Sequence, residues 1–338
     1  MAPPAFPTKP FAKLTGHNGI VHAVAYSSGS SQYILTGASD RTIRLYNPQK
    51  APISSEAPPK GSAAYAPGLV KKYTHHGYEV LSIDVSHDNE RFVSTGGDKA
   101  VYLVDVQSAQ TIRRYEGHAG RVNRGVFAGD SDSVLVSGSL DGHVMVWDTK
   151  SQNRKPIMKL TDAKDAISDV TVIESEIIAG SVDGRVRSYD LRMGTCYVDV
   201  IGHPVTSLTV TKKGDEILVS SLDSTVRLMD RKNGHLMKAY RNEAFVNKEL
   251  RVKSTLGLHD SVMISGSDNG LVFAWDIMES EALHIFKHSE VREVTGAGPA
   301  NMEAKGKKDV VSAVAFCPNR KEWASAGGDG NVIVWGVE

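Results

Sequence analysis
The sequence predicts an all-β fold, a seven-bladed β-propeller closed by pairing of an N-terminal strand with the C-terminal blade. Three observations predict it. A turn phrase ending in Asp or Asn occurs seven times: Ala38-Ser-Asp40, Gly96-Gly-Asp98, Ser139-Leu-Asp141, Ser181-Val-Asp183, Ser221-Leu-Asp223, Ser267-Asp-Asn269 and Gly327-Gly-Asp329. Seven residues after each mark the chain reads Tyr46-Asn47, Val104-Asp105, Trp147-Asp148, Tyr189-Asp190, Met229-Asp230, Trp275-Asp276 and Trp335-Gly336. The marks lie 58, 43, 42, 40, 46 and 60 residues apart. The underlying period of about 43 is that of a four-stranded propeller blade.

Each blade then reads strand by strand. A Gly-His pair opens several units (Gly16-His17, Gly117-His118, Gly202-His203), with His75-His76 in the second. An apolar alternation follows, as in Val21-His-Ala-Val-Ala-Tyr26, and side chains that alternate this way occupy the two faces of a strand. A second strand precedes each turn (Val134-Leu-Val-Ser137), and a third carries the aromatic residue (His143-Val-Met-Val-Trp147). A fourth leads to the next unit (Gln110-Thr-Ile-Arg-Arg-Tyr115). The seventh unit stops after its third strand, while Pro10 to Thr15 form a strand with no unit of its own. Pairing the two closes the ring and removes a raw sheet edge.

The whole chain, 1–338, is expected to be one propeller with two insertions. Residues 48–67 hold five of the thirteen prolines and read as a loop between the third and fourth strands of blade one. Residues 289–309 are rich in Gly, Glu and Lys and separate blades six and seven.

Composition excludes several function classes. Lys+Arg and Asp+Glu each number 39, so no global charge draws the protein to nucleic acid or anionic membrane. Basic residues are dispersed, and direct nucleic-acid contact is not expected. No apolar run approaches 18 residues, and the start Met1-Ala-Pro-Pro-Ala-Phe-Pro does not read as a signal peptide. Cys196 and Cys317 lie in different blades without ligand spacing and suit a reducing compartment.

The polar residues that repeat are structural rather than catalytic. His118, Ser137, Asp141 and Trp147 could pass for a nucleophile set, but the same types return at the same repeat positions, as in His17, Thr36 and Asp40. The expected arrangement is a chain of hydrogen bonds from turn carboxylate to imidazole, hydroxyl and indole, which satisfies buried polar groups. Ala179 and Val219 stand at the hydroxyl position in blades four and five, and blade four lacks the His, so these blades are expected to rely on apolar packing. There is no Gly-x-Ser-x-Gly, P-loop, His-Glu-x-x-His or Cys-x-x-Cys. No enzyme, cofactor or metal site is expected, nor a convergent titratable set in the central channel.

A propeller without chemistry is expected to be a docking platform. The flanks of the inner strands put Ile20, His22, Glu79, Arg121, Asn123, Ser168, Thr206, Arg251, Lys253 and Ser312 around one entrance. The residues before the turn Asp add Leu140, Val182 and Leu222. Apolar side chains beside Arg anchors make a protein interface.

Further runs carry a family resemblance: His76-Gly-Tyr-Glu-Val-Leu81, Gly96-Gly-Asp-Lys-Ala-Val101, Gly117-His-Ala-Gly-Arg-Val-Asn123, Ala179-Gly-Ser-Val-Asp-Gly-Arg-Val-Arg187, Tyr189-Asp-Leu-Arg-Met-Gly194 and Val219-Ser-Ser-Leu-Asp-Ser-Thr225. They resemble the WD-repeat mitogen-activated protein kinase organizer family across roughly blades one to six. Generic repeat wording does not account for Gly-Tyr-Glu-Val or Asp-Leu-Arg-Met-Gly. The resemblance implies a non-enzymatic scaffold, monomeric within a larger complex, in cytoplasm and nucleus. The implied partners are spliceosomal subunits or kinase-cascade components. A different class, a substrate receptor of a cullin-type ubiquitin ligase, rests on Asp190 and Arg192, because Tyr189-Asp190-Leu191-Arg192 is similar to the Trp-Asp-x-Arg box of such receptors.

Overall fold
The computed structural model describes residues 6–53, 66–294 and 310–337. Seven antiparallel sheets follow one another around a ring, each ordered from its inner to its outer strand. The inner strands are Val21–Tyr26, Val80–Val85, Val122–Ala128, Ile167–Ile173, Val205–Val210, Ser254–Gly257 and Val311–Phe316. The core is divided into seven apolar clusters, one wherever neighbouring blades meet.

The turn phrase works through its geometry. The Asp carboxylate accepts an N–H two residues on, as in His143 to Asp141 at 3.0 Å and Arg185 to Asp183 at 3.1 Å. The residue between has a positive φ, taken by Gly142, Gly184, Gly270 and Gly330, and by Arg41, Lys99 and Ser224 in the other blades. A second glycine position exists for a different reason. A Cβ on Gly37, Gly138 or Gly180 would come within 2.5–2.6 Å of Val80, Ile167 or Val205 from the next blade. The second strand therefore has no side chain where the neighbouring blade packs closest.

The ring closes through Lys9–Leu14, which pairs antiparallel with Val332–Gly336 as the outer strand of blade seven. Ala12 and Leu14 are fully buried there. The closure extends beyond that strand. The Trp323 indole donates to the Pro7 carbonyl at 2.8 Å, and Phe6 stacks on His284 with ring centroids 5.1 Å apart.

Most of the two insertions (residues 54–65 and 295–309) lies outside the described residues. The flanks are ordered differently from plain loops. Pro48–Lys50 forms a 3₁₀ turn capped by Asn47, and Arg292–Glu293 adds a fifth strand to blade six.

Six of the seven inner strands carry a bulge near their start, which the repeat pattern does not announce. In each, one residue has no partner on the second strand: His22, Leu81, Asn123, Ser168, Thr206 and Ser312. A bulge re-aims side chains locally, so simple alternation misplaces them.

Candidate functional site: the channel mouth and its rim
The bulges change what reaches the channel mouth. Strict alternation puts Asn123, Ser168, Thr206 and Ser312 on the rim; all four are buried. Asn123 Nδ2 donates to the Ile167 carbonyl of the next blade at 2.7 Å, and Ser312 Oγ donates to Val21 O at 2.5 Å. Ser168 Oγ donates to Gly180 O at 3.0 Å, and Thr206 Oγ1 accepts from Asn247 Nδ2 at 3.3 Å. The expectation of exposed rim residues is corrected: all four hydrogen-bond into the seams between strands and blades, although Asn123 and Ser312 still line the cavity at the mouth.

A cavity of about 180 Å³ opens at the channel mouth, lined in part by Ile20, His22, Arg121, Arg251, Lys253 and Ser312. Arg121 is exposed, and Glu79 is half-buried nearby. Leu140 and Val182 project to solvent from the turns of consecutive blades, 49% and 37% exposed, with Leu222 half-buried in the next.

Charged groups converge in the channel, contrary to the sequence reading. Asp169 is buried on the inner strand of blade four, where its carboxylate accepts the Leu208 N–H of blade five at 3.0 Å. Lys253 Nζ reaches it at 3.2 Å from blade six, and Arg124 Nε at 3.5 Å from blade three. Arg251 donates across the channel to the Asn123 carbonyl at 2.8 Å. These residues lie too far apart in sequence for any local motif to join them.

Electrostatics follow from that convergence. Burial raises the Asp169 pKa, but Lys253, Arg124 and Arg251 outweigh it and hold the carboxyl below its ordinary value. Burial, reinforced by Arg124, brings the Lys253 ammonium down to about 7. Burial likewise brings Arg251 down to about 10, despite attraction from Asp169. His22 is brought to about 4, first by burial and then by Arg251.

Away from the channel, the repeated polar chains tie outer strands to inner ones. His118 Nδ1 meets Asp141 at 3.0 Å, and its Nε2 meets Ser137 Oγ at 2.8 Å. The Trp147 indole donates to the same hydroxyl at 2.8 Å. His17 spans Asp40 and Thr36 at 3.1 and 2.7 Å. In blade two it is His76 that spans Asp98 and Ser94, at 2.5 and 2.9 Å. Blade seven has a related arrangement with the ring reversed: His288 Nδ1 meets Ser325 Oγ at 2.8 Å, the Trp335 indole donates to the same hydroxyl at 3.0 Å, and Nε2 stands 3.4 Å from Asp329. His288 follows Lys rather than Gly and lies far upstream of Asp329, so the Gly-His pattern does not mark it.

Blades four and five do not rely on apolar packing alone, as expected above. Arg187 forms a two-pronged pair with Asp183, its shorter contact 2.6 Å, and Arg227 does the same to Asp223 at 2.5 Å. Each Arg stands four residues after the turn Asp, a spacing visible in the sequence. A guanidinium from the third strand thus takes the place of the imidazole.

Asp190 caps its own turn by accepting the Arg192 and Met193 N–H groups, and Arg192 is exposed. Among the described residues, no group of three or more His, Cys, Asp or Glu side chains could hold a metal ion.

These groups predict a two-stage loss of stability in acid. The folded pKa of His22 (about 4) and that of His75 (about 3) lie below the ordinary 6.5, so the unfolded chain binds protons that the native state refuses. Their contribution is complete above about pH 6.5 and falls as pH drops toward 4, by about 3 kcal/mol for His22. Asp223 and Asp329 are held at about 2, against burial, by Arg227 and His288 respectively. Their stabilisation is present above about pH 4 and is lost toward pH 2. Urea midpoints at constant ionic strength should fall from pH 7 to pH 4.5, and fall less in His22→Gln; equal slopes in both proteins would refute the assignment.

Comparison with known proteins agrees with this architecture. A family model described as "Nucleolar protein 10-like, N-terminal domain", a β-propeller, matches residues 79–259. The model "WD domain, G-beta repeat" matches residues 8–47 and 301–336. WD repeat domain-containing protein 83 of Rattus norvegicus is 39% identical, over 88% of this chain and 89% of its own. The Homo sapiens protein of that name is 40% identical, over 82% of each chain. A homolog from Dictyostelium discoideum is 26% identical over 95% of this chain and 96% of its own.

Proposed function
Because the chain belongs to the WD-repeat family, with WD repeat domain-containing protein 83 among its relatives, we propose that it is a non-enzymatic scaffold that joins other proteins within a larger assembly. The observation that carries this reading is the rim. Leu140 and Val182 are solvent-exposed on consecutive turns, on the face where Arg121 flanks the channel mouth. Isolated exposed apolar residues are ordinary, but apolar anchors at repeated positions beside arginines fit a multi-blade docking surface.

The partners we propose are spliceosomal subunits, with kinase-cascade components as the second role carried by the family resemblance. Such work places the protein in nucleus and cytoplasm. Affinity purification of the full chain at low salt, followed by mass spectrometry and RNA analysis, tests this. Spliceosomal proteins and small nuclear RNAs are expected in the bound set. Leu140→Glu/Val182→Glu should deplete them with folding unchanged. Recovery of kinase modules alone would transfer the reading to the cascade role, and an identical bound set for the double variant would remove the rim from it.

A further inference from the structure
We propose that the channel mouth is a receptor for one anionic side chain, a carboxylate or a phosphate, projected by a partner protein into the cavity lined by Arg121, Arg251 and Lys253. This rests on the scaffold reading and adds the chemistry of the contact.

Three observations support it. Cations outnumber the carboxylates set to neutralise them: Arg121, Arg124, Arg251 and Lys253 are close enough to disfavour one another's charge, while Asp169 is the one carboxylate in contact with the cluster among the described residues. Two others are near. Glu79 lies toward His22, and Asp84 is half-buried, accepts the Phe127 N–H at 2.8 Å and is pushed toward its neutral form by desolvation, against the attraction of Arg124.

The second observation is an unmet donor. Arg251 uses Nη1 on the Asn123 carbonyl, but its buried Nη2 has no hydrogen-bond partner. A buried guanidinium N–H without an acceptor is costly, and an anion beside it supplies what is missing. Arg121 forms no ion pair among the described residues and remains exposed at the opening.

The third is size. At about 180 Å³ the cavity is smaller than the ~300–1,000 Å³ of small-molecule sites. It suits a single side chain entering from above, and the apolar rim at Leu140 and Val182 would hold the flanking segment.

The test titrates the full chain, by calorimetry and backbone-amide shifts, with N-acetyl phosphoserine amide and N-acetyl glutamate amide. N-acetyl lysine amide is the control, and ionic strength is matched with chloride throughout. Saturable binding of one or both anions, with shifts at Arg121, Asn123 and Lys253 and none from the lysine probe, is expected. The relative affinities distinguish phosphate from carboxylate. Arg121→Ala should weaken binding about tenfold without altering the fold, because the residue is exposed; Arg251→Gln should abolish it. Anion binding no stronger than that of chloride, or unchanged in both variants, overturns the proposal. So does a short RNA that displaces the probes at lower concentration than they bind. The scaffold reading fails separately, if the wild-type chain captures no partner while the anions still bind.

Discussion
Removing residues 1–14 is expected to lower the melting temperature by more than about 10 °C and to make the protein aggregate. The deletion takes away the outer strand of blade seven, the buried Ala12 and Leu14, the acceptor of the Trp323 indole and the Phe6 stack. Losing a buried Leu costs about 2–5 kcal/mol, and a buried indole N–H without an acceptor about 1–3 more. Together that approaches the ~5–15 kcal/mol by which a domain is stable at all. The exposed edge of Val332–Gly336 would then be free to pair with another copy. Differential scanning fluorimetry and light scattering read both effects. A truncated protein that melts within about 2 °C of the full chain and stays monomeric would show that the ring does not depend on its N-terminal strand. Leu14→Ala, at about 2–5 kcal/mol, gives the graded version.

That closure was legible because each end of the sequence lacks what the other supplies. The seven blades were legible for a related reason: the turn Asp and the third-strand aromatic sit at fixed spacing, and the strands between them alternate. Alternation then failed at the channel mouth. One added residue in each of six inner strands leaves Asn123, Ser168, Thr206 and Ser312 buried and bonded into the seams, with only Asn123 and Ser312 of the four still lining the mouth, and a bulge formed by ordinary residues leaves no compositional mark. The Asp169 cluster was hidden for another reason, since its members come from three blades and meet only when the ring is formed. Arg187 and Arg227 are intermediate. Their spacing from Asp183 and Asp223 was present to be read, but the repeat pattern drew attention to the missing His instead.

Asp169→Ala is expected to cost about 3–5 kcal/mol, the second large effect. The residue is 1% exposed, and without its carboxylate Lys253, Arg124 and Arg251 face one another in a partly dry channel. The Leu208 N–H also loses its acceptor, which loosens the seam between blades four and five. Adding Lys253→Met should recover part of the loss by removing a cation that has no counterion. The surface pair Lys232–Asp215 serves as the contrast, because both partners are largely exposed and Asp215→Ala should stay within about 1 kcal/mol. Urea unfolding of the four proteins checks the ranking. A double variant no more stable than Asp169→Ala would show that the carboxylate acts through its backbone contacts rather than its charge.

The pairing of Lys9–Leu14 with Val332–Gly336 also has a temporal side. During synthesis the ribosome releases the sealing ribbon first and its mate about 320 residues later, which at ~5–20 residues per second is on the order of 15–60 s. Throughout that interval the nascent chain carries Phe6 and Leu14 without their contacts in blade seven, and six blades can assemble as an open arc before the last arrives. Of all the strands in the ring, this one waits longest for its neighbour in the sheet.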